Sequence, residues 1–349
     1  MPYEVDFIPV GSGEKCGDAI ALRFGNLAGP RNEQTVVVID GGFKGSGEAL
    51  VQHIKNYYGT DRVDIVISTH PDSDHASGLA VVLEQLAVGQ LLMHKPWEHS
   101  AEIEGFFKSG RVTVSGISTR IEESLQGASD LESLAAKKRI EIIEPFQGVA
   151  NEMIHVLGPS VEYYETLLPL FRGTPEPIDL LEALAPAQRS SEDDGQLIPD
   201  HPDKDLLDDD EEFTSAENNS STIILFDIDG HKLLFTGDAG KTALLQAAHY
   251  ARNRGIFLTD LRFLDVPHHG SKRNMSSKVL GMIGAKTAFV SAAQSGKKHP
   301  AKKVTNALRK KGATVYVNRG TTLRHQHEAP NRDGWSPAKE EPFHNYVEE

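Results

Sequence analysis

Val63-Asp64-Ile65-Val66-Ile67-Ser68-Thr69-His70-Pro71-Asp72-Ser73-Asp74-His75-Ala76-Ser77-Gly78 is the stretch on which the fold turns. The β-branched run at 63–68 reads as a strand buried on both faces, and helical spacing resumes over 77–86. Between them, two imidazoles and two carboxylates (His70, Asp72, Asp74, His75) crowd into six positions. Such groups are held together at a strand end when a cation lies among them, so a divalent metal, or a pair, accounts for the cluster.

Working outward, the first third alternates strands (5–10, 19–24, 35–39) with helical spacing (47–58). Helices are expected at 117–126, 130–138 and 161–171, and strands near 140–143 and 153–157. The segment 173–217 is rich in Pro and acids, with few apolar anchors, and reads as a mobile insertion. Beyond it, strands at 221–226 and 232–235 flank an Asp-Gly turn, a strong hairpin signal. Helices at 241–250, 276–283 and 302–311 then alternate with strands at 261–266, 287–291 and 314–317. Two strand-rich halves, each with its own helices, predict an α/β fold. The arrangement is an αββα sandwich of two mixed β-sheets flanked by helices. The domain is expected to span 1–325, interrupted at 173–217, with a loosely held polar tail over 326–349.

Bulk properties narrow the class. The single cysteine, Cys16, excludes a disulfide framework and a Cys-rich metal site. Neither a secretory leader nor a run long enough to cross a membrane is read, so a cytoplasmic protein is expected. The net charge of −14 is concentrated at 192–217, where twelve acids face one base, Lys204. It therefore says little about the rest of the chain, and does not exclude a nucleic-acid partner.

Three further motifs answer the first. Phe235-Thr236-Gly237-Asp238 puts a carboxylate just past an apolar strand, and Val266-Pro267-His268-His269-Gly270-Ser271 puts two imidazoles past another. Asp40 follows the 35–39 strand in the same way. Alone, Asp238 would read as a helix N-cap; in order with the others, it reads as a site residue. Basic residues lie nearby: Lys272, Lys298, His299 and a helix carrying Lys302, Lys303, Arg309, Lys310 and Lys311. They suit either a solvated face or contacts to phosphates.

The set resembles the metallo-β-lactamase superfamily, whose usual metal motif is HxHxDH. Here Asp72 stands where that motif has its second His. With Gly17-Asp18-Ala19, Asn218-Asn219-Ser220-Ser221 and the His268-His269 pair, the pattern is most similar to the soluble hydrolase domain of ComEC-type DNA-uptake proteins. The resemblance covers roughly residues 3–320.

It implies two divalent ions, Zn²⁺ or Mn²⁺, with His70 and Asp72 on one and Asp74, His75 and His269 on the other. Asp238 would bridge them, at the spacing of about 3.5–4 Å seen in two-metal sites that share a hydroxide. His155, inside the 153–157 strand, is a further candidate ligand. The choice between His268 and His269 as ligand is open; His269 is favoured, leaving His268 to face substrate and donate a proton. Asp18 and Asp40 would orient ligand imidazoles, Asp74, Asp238 and His268 would act in catalysis, and Lys272, Lys298 and His299 would bind substrate. The expected activity is metal-dependent phosphodiester hydrolysis, as a nuclease acting on DNA. The alternative is a small-molecule hydrolase of the same fold, cleaving a lactone, a thioester, or a phosphorylated or cyclic nucleotide.

Overall fold

The computed structural model describes residues 1–13, 15–108, 112–148, 151–178, 197–204, 206–207, 209 and 214–348. Two sheets lie face to face. The first has strands β1 (Tyr3–Phe7), β2 (Ala19–Gly25), β3 (Gln34–Gly41), β4 (Arg62–Ile67), β5 (Ala87–Leu92), β6 (Glu141–Ile143) and β14 (Leu323–His327). Their order is β14-β1-β2-β3-β4-β5-β6. The second has β7 (Ile154–Gly158), β9 (Ile223–Ile228), β10 (His231–Phe235), β11 (Leu261–Asp265), β12 (Ala285–Ala292) and β13 (Thr314–Arg319), ordered β13-β12-β11-β10-β9-β7. Both sheets are mixed: β3 to β6 and β10 to β13 run parallel, while β1–β2, β2–β3, β7–β9 and β9–β10 pair antiparallel.

The period of two along each strand builds three apolar layers. Tyr3, Val5 and Phe7 of β1, Val37 and Ile39 of β3, and Ile224, Phe226 and Ile228 of β9 point between the sheets. Phe263 sits at the centre of that layer, with ring centroids 5.8 Å from Phe7 and 5.1 Å from Phe289. Val36 and Val38 face the other way, toward α1 (Lys44–His53), α2 (Ser73–Gln85), α4 (Val114–Ser124) and α5 (Gln126–Lys138). Ile223, Leu225 and Leu234 face α8 (Lys241–Asn253), α9 (Ser277–Met282) and α10 (Lys302–Lys310). The expected αββα sandwich is what the chain forms.

Glycines let α2 reach the sheet. A Cβ on Gly78 would lie 1.9 Å from the Gly41 carbonyl oxygen, and one on Gly47 would lie 2.3 Å from the Gly78 oxygen. With no side chains there, the start of α2 seats directly on the end of β3, which is where His70 to His75 meet Asp40.

The chain ends differ from the sequence expectation. Residues beyond 325 are tied in: β14 extends to His327 and pairs with β1, and Arg332 reaches Asp6 at 2.7 Å and Glu4 at 2.9 Å. The described parts of the insertion are also anchored. Leu207 is buried in the second helix layer, and β8 (Leu197–Pro199) pairs with β15 (Tyr346–Glu348). Much of the acidic run (residues 192–196, 205, 208 and 210–213) lies outside the described residues. Polar edge strands such as Leu323-Arg324-His325-Gln326-His327 lack the apolar alternation that announces a strand, and their partners are remote in sequence.

The basic helix α10 is partly neutralised. Lys310 is 2.6 Å from Asp200, and Arg309 donates to the Glu341 carbonyl at 2.7 Å. Its C-terminal half therefore faces the 197–204 and 340–348 segments rather than a phosphate backbone.

Candidate metal centre

The functional side chains come from strand ends on one rim. Asp40 closes β3, His70 follows β4, and Asp72, Asp74 and His75 open α2. Asp238 follows β10, and the 3₁₀ turn Pro267–Gly270 follows β11. Because β2 runs antiparallel to β3, Asp18, just before β2, falls on the same rim.

Asp40 is buried and organises the imidazoles. Its Oδ1 accepts from the Thr69 backbone N–H at 2.8 Å, and its Oδ2 accepts from Thr69 Oγ1 at 2.6 Å. The same Oδ2 lies 2.8 Å from His75 Nδ1, which must carry the proton. Thr69 Oγ1 has given its only hydrogen to Asp40, so it accepts from His70 Nδ1 at 3.0 Å. Both rings thus turn a lone pair on Nε2 toward the cavity.

Asp238 stands at the centre with its two oxygens facing different groups. Oδ1 is 3.5 Å from His75 Nε2 and 3.8 Å from His269 Nε2. Oδ2 is 3.9 Å from His70 Nε2 and 3.5 Å from His268 Nε2. Asp72 Oδ2 closes the second side, 3.8 Å from His70 Nε2. Asp18 lies behind two rings, 3.8 Å from His75 Nδ1 and 3.9 Å from His269 Nδ1. Donor atoms of Asp18, His75, Asp238 and His269 all fall within 4.8 Å of one another. Donors about 2.1 Å from one tetrahedral ion stand about 3.4 Å apart, close to the 3.5 and 3.8 Å from Asp238 Oδ1 to the Nε2 atoms of His75 and His269.

Electrostatics point the same way. Burial, reinforced by His75, pushes His70 down to about 4, and burial with His299 pushes His268 down to about 3. Burial also drives His269 well below the ordinary range. These imidazoles are neutral near pH 7, as ligands must be. His75 differs: burial works against its protonation, but the Asp238, Asp40 and Asp18 charges hold it well above its usual value, so a cation would have to replace the Nε2 proton for this ring to serve as a ligand. Burial raises Asp238 well above the carboxylate range and Asp18 to about 6. His70 Nε2, His75 Nε2, both His269 nitrogens, Asp18 Oδ1 and Asp238 Oδ1 are buried without hydrogen-bond partners. Orphaned donor atoms of this kind, around a surplus of carboxylate, fit divalent cations.

His268 and His269 both adopt left-handed backbone, at φ 47° and 55°. For consecutive non-glycine residues this costs on the order of 1–3 kcal/mol each, strain that a site can justify. Asn274 Nδ2 donates to the carbonyls of Asp238 at 2.9 Å and Ala239 at 3.2 Å. Its Oδ1 lies 3.0 Å from His268 Nδ1, and Asn218 Nδ2 lies 3.2 Å from the same nitrogen, so a carbonyl oxygen and an amide N–H₂ both flank it. The other ring nitrogen, Nε2, faces Asp238 Oδ2 at 3.5 Å. His299 stacks on the His268 ring, with ring centroids 5.7 Å apart.

Other expected residues lie farther out. Asp74 is half-buried in the first turn of α2; its charge acts on Asp18, His70 and Asp238, but it joins no compact donor group among the described residues. His155 is paired opposite Leu225 inside β7 and joins none either. Lys272 is half-buried two residues past Gly270, and Lys298 is exposed beside His299. No motif points to Asn274, or to Arg172, whose guanidinium is 2.6 Å from Asp72 Oδ1. Buried Asp265 at the end of β11, raised well above the carboxylate range by burial, was also missed. Both Asp265 and Arg172 depend on contacts far along the chain.

An open rim of inward-facing His and Asp groups on a two-sheet sandwich could hold metal ions. The family model described as "Metallo-beta-lactamase superfamily" matches residues 31–294, and the chain belongs to that superfamily, most of whose members are metal-dependent hydrolases. No curated protein matches. Among solved structures, one similar fold is a metallo-beta-lactamase described as putative from Thermotoga maritima. It is 11% identical, with a TM-score of 0.33, covering 73% of this chain and 86% of that one. A long form RNase Z from yeast is 11% identical with a TM-score of 0.33, covering 83% and 37%. A CmlA beta-hydroxylase variant is 10% identical with a TM-score of 0.44, covering 93% and 53%. Among the described residues no helix is long and apolar enough to cross a membrane.

Proposed function

We propose that the protein is a metal-dependent phosphodiesterase, acting as a nuclease on DNA. Within the superfamily we place it nearest the soluble hydrolase domain of ComEC-type proteins, on the strength of its Asp72 variant and its ordered motifs. The carrying observation is the division of Asp238 between two sets of donors. In this proposal His75 and His269 would hold one ion, with Asp18 of the same donor group or the expected Asp74 completing it; His70 and Asp72 would hold the other, and Asp238 would serve both.

Bound divalent ions supply Lewis acidity and a water nucleophile acidified toward neutral pH. The chain's own residues do the rest. Asp40 and Thr69 orient the His75 and His70 rings, and Asn274 and Asn218 hold His268 with its Nε2 toward Asp238. His268 Nε2 is then placed for proton transfer near the reacting centre. Three carboxylates in the proposed set and no thiolate favour hard ions, so Mn²⁺ competes with Zn²⁺.

The test is a substrate screen on purified protein with Mn²⁺, Zn²⁺ or Mg²⁺. Single- and double-stranded DNA, RNA, bis-p-nitrophenyl phosphate and a lactone are offered to wild type and to Asp74→Ala/His75→Ala. Metal-dependent DNA cleavage lost in the double variant is expected. Lactone turnover with no phosphodiester cleavage would overturn the proposal.

A further inference from the structure

Arg172 is the half-exposed cation at the mouth of the site. Its side chain is 50% exposed, against 24% for Asp72, its partner at 2.6 Å. Asp72 splits its carboxylate: Oδ1 meets the Arg172 guanidinium, while Oδ2 faces His70 Nε2 at 3.8 Å. A histidine at position 72 could not serve both sides in this way, because a neutral ring has only one acceptor nitrogen.

The backbone around Arg172 is fixed. Phe171 before it is buried in the first helix layer. The Arg172 N–H donates to buried Glu217 Oε1 at 2.8 Å, and Thr174 Oγ1 donates to the Phe171 and Pro169 carbonyls at 2.7 and 2.9 Å. A guanidinium carries five N–H donors, and only Nη2 is paired with Asp72 Oδ1. The Arg172 side chain makes no other ion pair or hydrogen bond among the described residues, and it sits one carboxylate away from His70.

We propose that Arg172 is the substrate's oxyanion clamp. Its free edge takes the charged oxygens of a phosphodiester while Asp72 holds its orientation. The inference deepens the phosphodiesterase proposal and rests on it. It also assigns Asp72 a second task, positioning the clamp as well as serving the proposed metal.

The experiment compares wild type, Arg172→Lys and Arg172→Met, with folding checked by circular dichroism. Binding of inorganic pyrophosphate and of a short oligothymidylate to metal-free protein is measured by calorimetry. A methylphosphonate oligothymidylate, which lacks the backbone charge, serves as control. Turnover of bis-p-nitrophenyl phosphate and of a neutral ester is measured on metal-loaded protein.

Arg172→Met is expected to weaken binding of both anionic probes by about tenfold or more, the equivalent of one charge-assisted hydrogen bond. Arg172→Lys should recover part of this, and binding of the neutral methylphosphonate should not change. For the phosphodiester, KM should rise more than kcat falls; the neutral ester should be insensitive. Phosphodiester cleavage with unchanged anion affinity in Arg172→Met would overturn the clamp alone. Wild type that binds pyrophosphate through Arg172 but cleaves only neutral esters would keep the clamp and sink the nuclease proposal. Wild type that binds none of the anions would sink the clamp, and with no phosphodiester turnover both would fall.

Discussion

Asp40 Oδ2 lies 2.8 Å from His75 Nδ1, and both groups are buried. That contact sets which nitrogen of His75 is free, and through Thr69 the same carboxylate sets His70. Replacing Asp40 with Asn keeps the shape but puts an N–H₂ where one oxygen accepted. Orienting partners of this kind are worth about 10–100-fold in metal affinity. Asp40→Asn should therefore fold, by circular dichroism, while its Zn²⁺ or Mn²⁺ affinity falls by that order in calorimetric titration. Unchanged affinity would remove Asp40 from the support of the site.

Gly78 belongs to the stretch that decides the fold, and its hydrogen is needed where α2 meets β3. A methyl group there would sit 1.9 Å from the Gly41 carbonyl oxygen, which is backbone and cannot swing aside. Gly78→Ala should destabilise the protein by about 1–3 kcal/mol or more through overpacking. It should also weaken metal binding, because the start of α2 carries Asp72, Asp74 and His75. Urea unfolding and a metal titration measure the two effects. A midpoint equal to that of wild type would mean that α2 shifts freely.

Much of this was legible because β-branched runs ending in Asp or His mark both buried strands and their shared rim. His70, Asp72, His75, Asp238 and His269 do converge there, as their positions at strand ends imply. Arg172, Asn274 and Asp265 were not legible: each matters through a partner that only the tertiary fold supplies. The tail was misjudged for a related reason. Arg332 reads as a solvated residue in a polar segment, yet it pairs with Glu4 and with Asp6 on β1, the latter 326 residues away. Polar composition does not reveal which charges will be buried in pairs.

Arg332 and Asp6 make a bidentate pair at 2.7 and 2.8 Å, with the guanidinium over the rings of Tyr57 and Trp335. Burial works against the ionised Asp6, but His53 and Arg332 outweigh it and bring its pKa down to about 2. A depressed carboxyl pKa contributes stability that is present above the unfolded value, near 4, and lost as pH falls toward 2. Arg332→Met leaves buried carboxylates short of a partner and should cost about 3–5 kcal/mol near pH 7. It should raise the Asp6 pKa, so that the difference from wild type shrinks below pH 4. Thermal unfolding across pH 2–7 tests this. A constant difference across that range would mean that Arg332 acts by packing alone.

Asp238 is buried among Asp18, Asp72 and Asp74, a charge surplus that bound cations would relieve. A ligand that binds only the folded state stabilises it by about 4 kcal/mol at a thousandfold excess over Kd. Wild-type protein purified with Mn²⁺ or Zn²⁺ should therefore lose several degrees of Tm on chelation and regain them when the ion is restored. Asp238→Asn removes the carboxylate whose oxygens face His75 and His269 on one side and His70 and His268 on the other. Its Tm should barely respond to chelator, and elemental analysis should find its metal content well below that of wild type. Equal metal content in Asp238→Asn would place the ions elsewhere and take the bridging role from this residue.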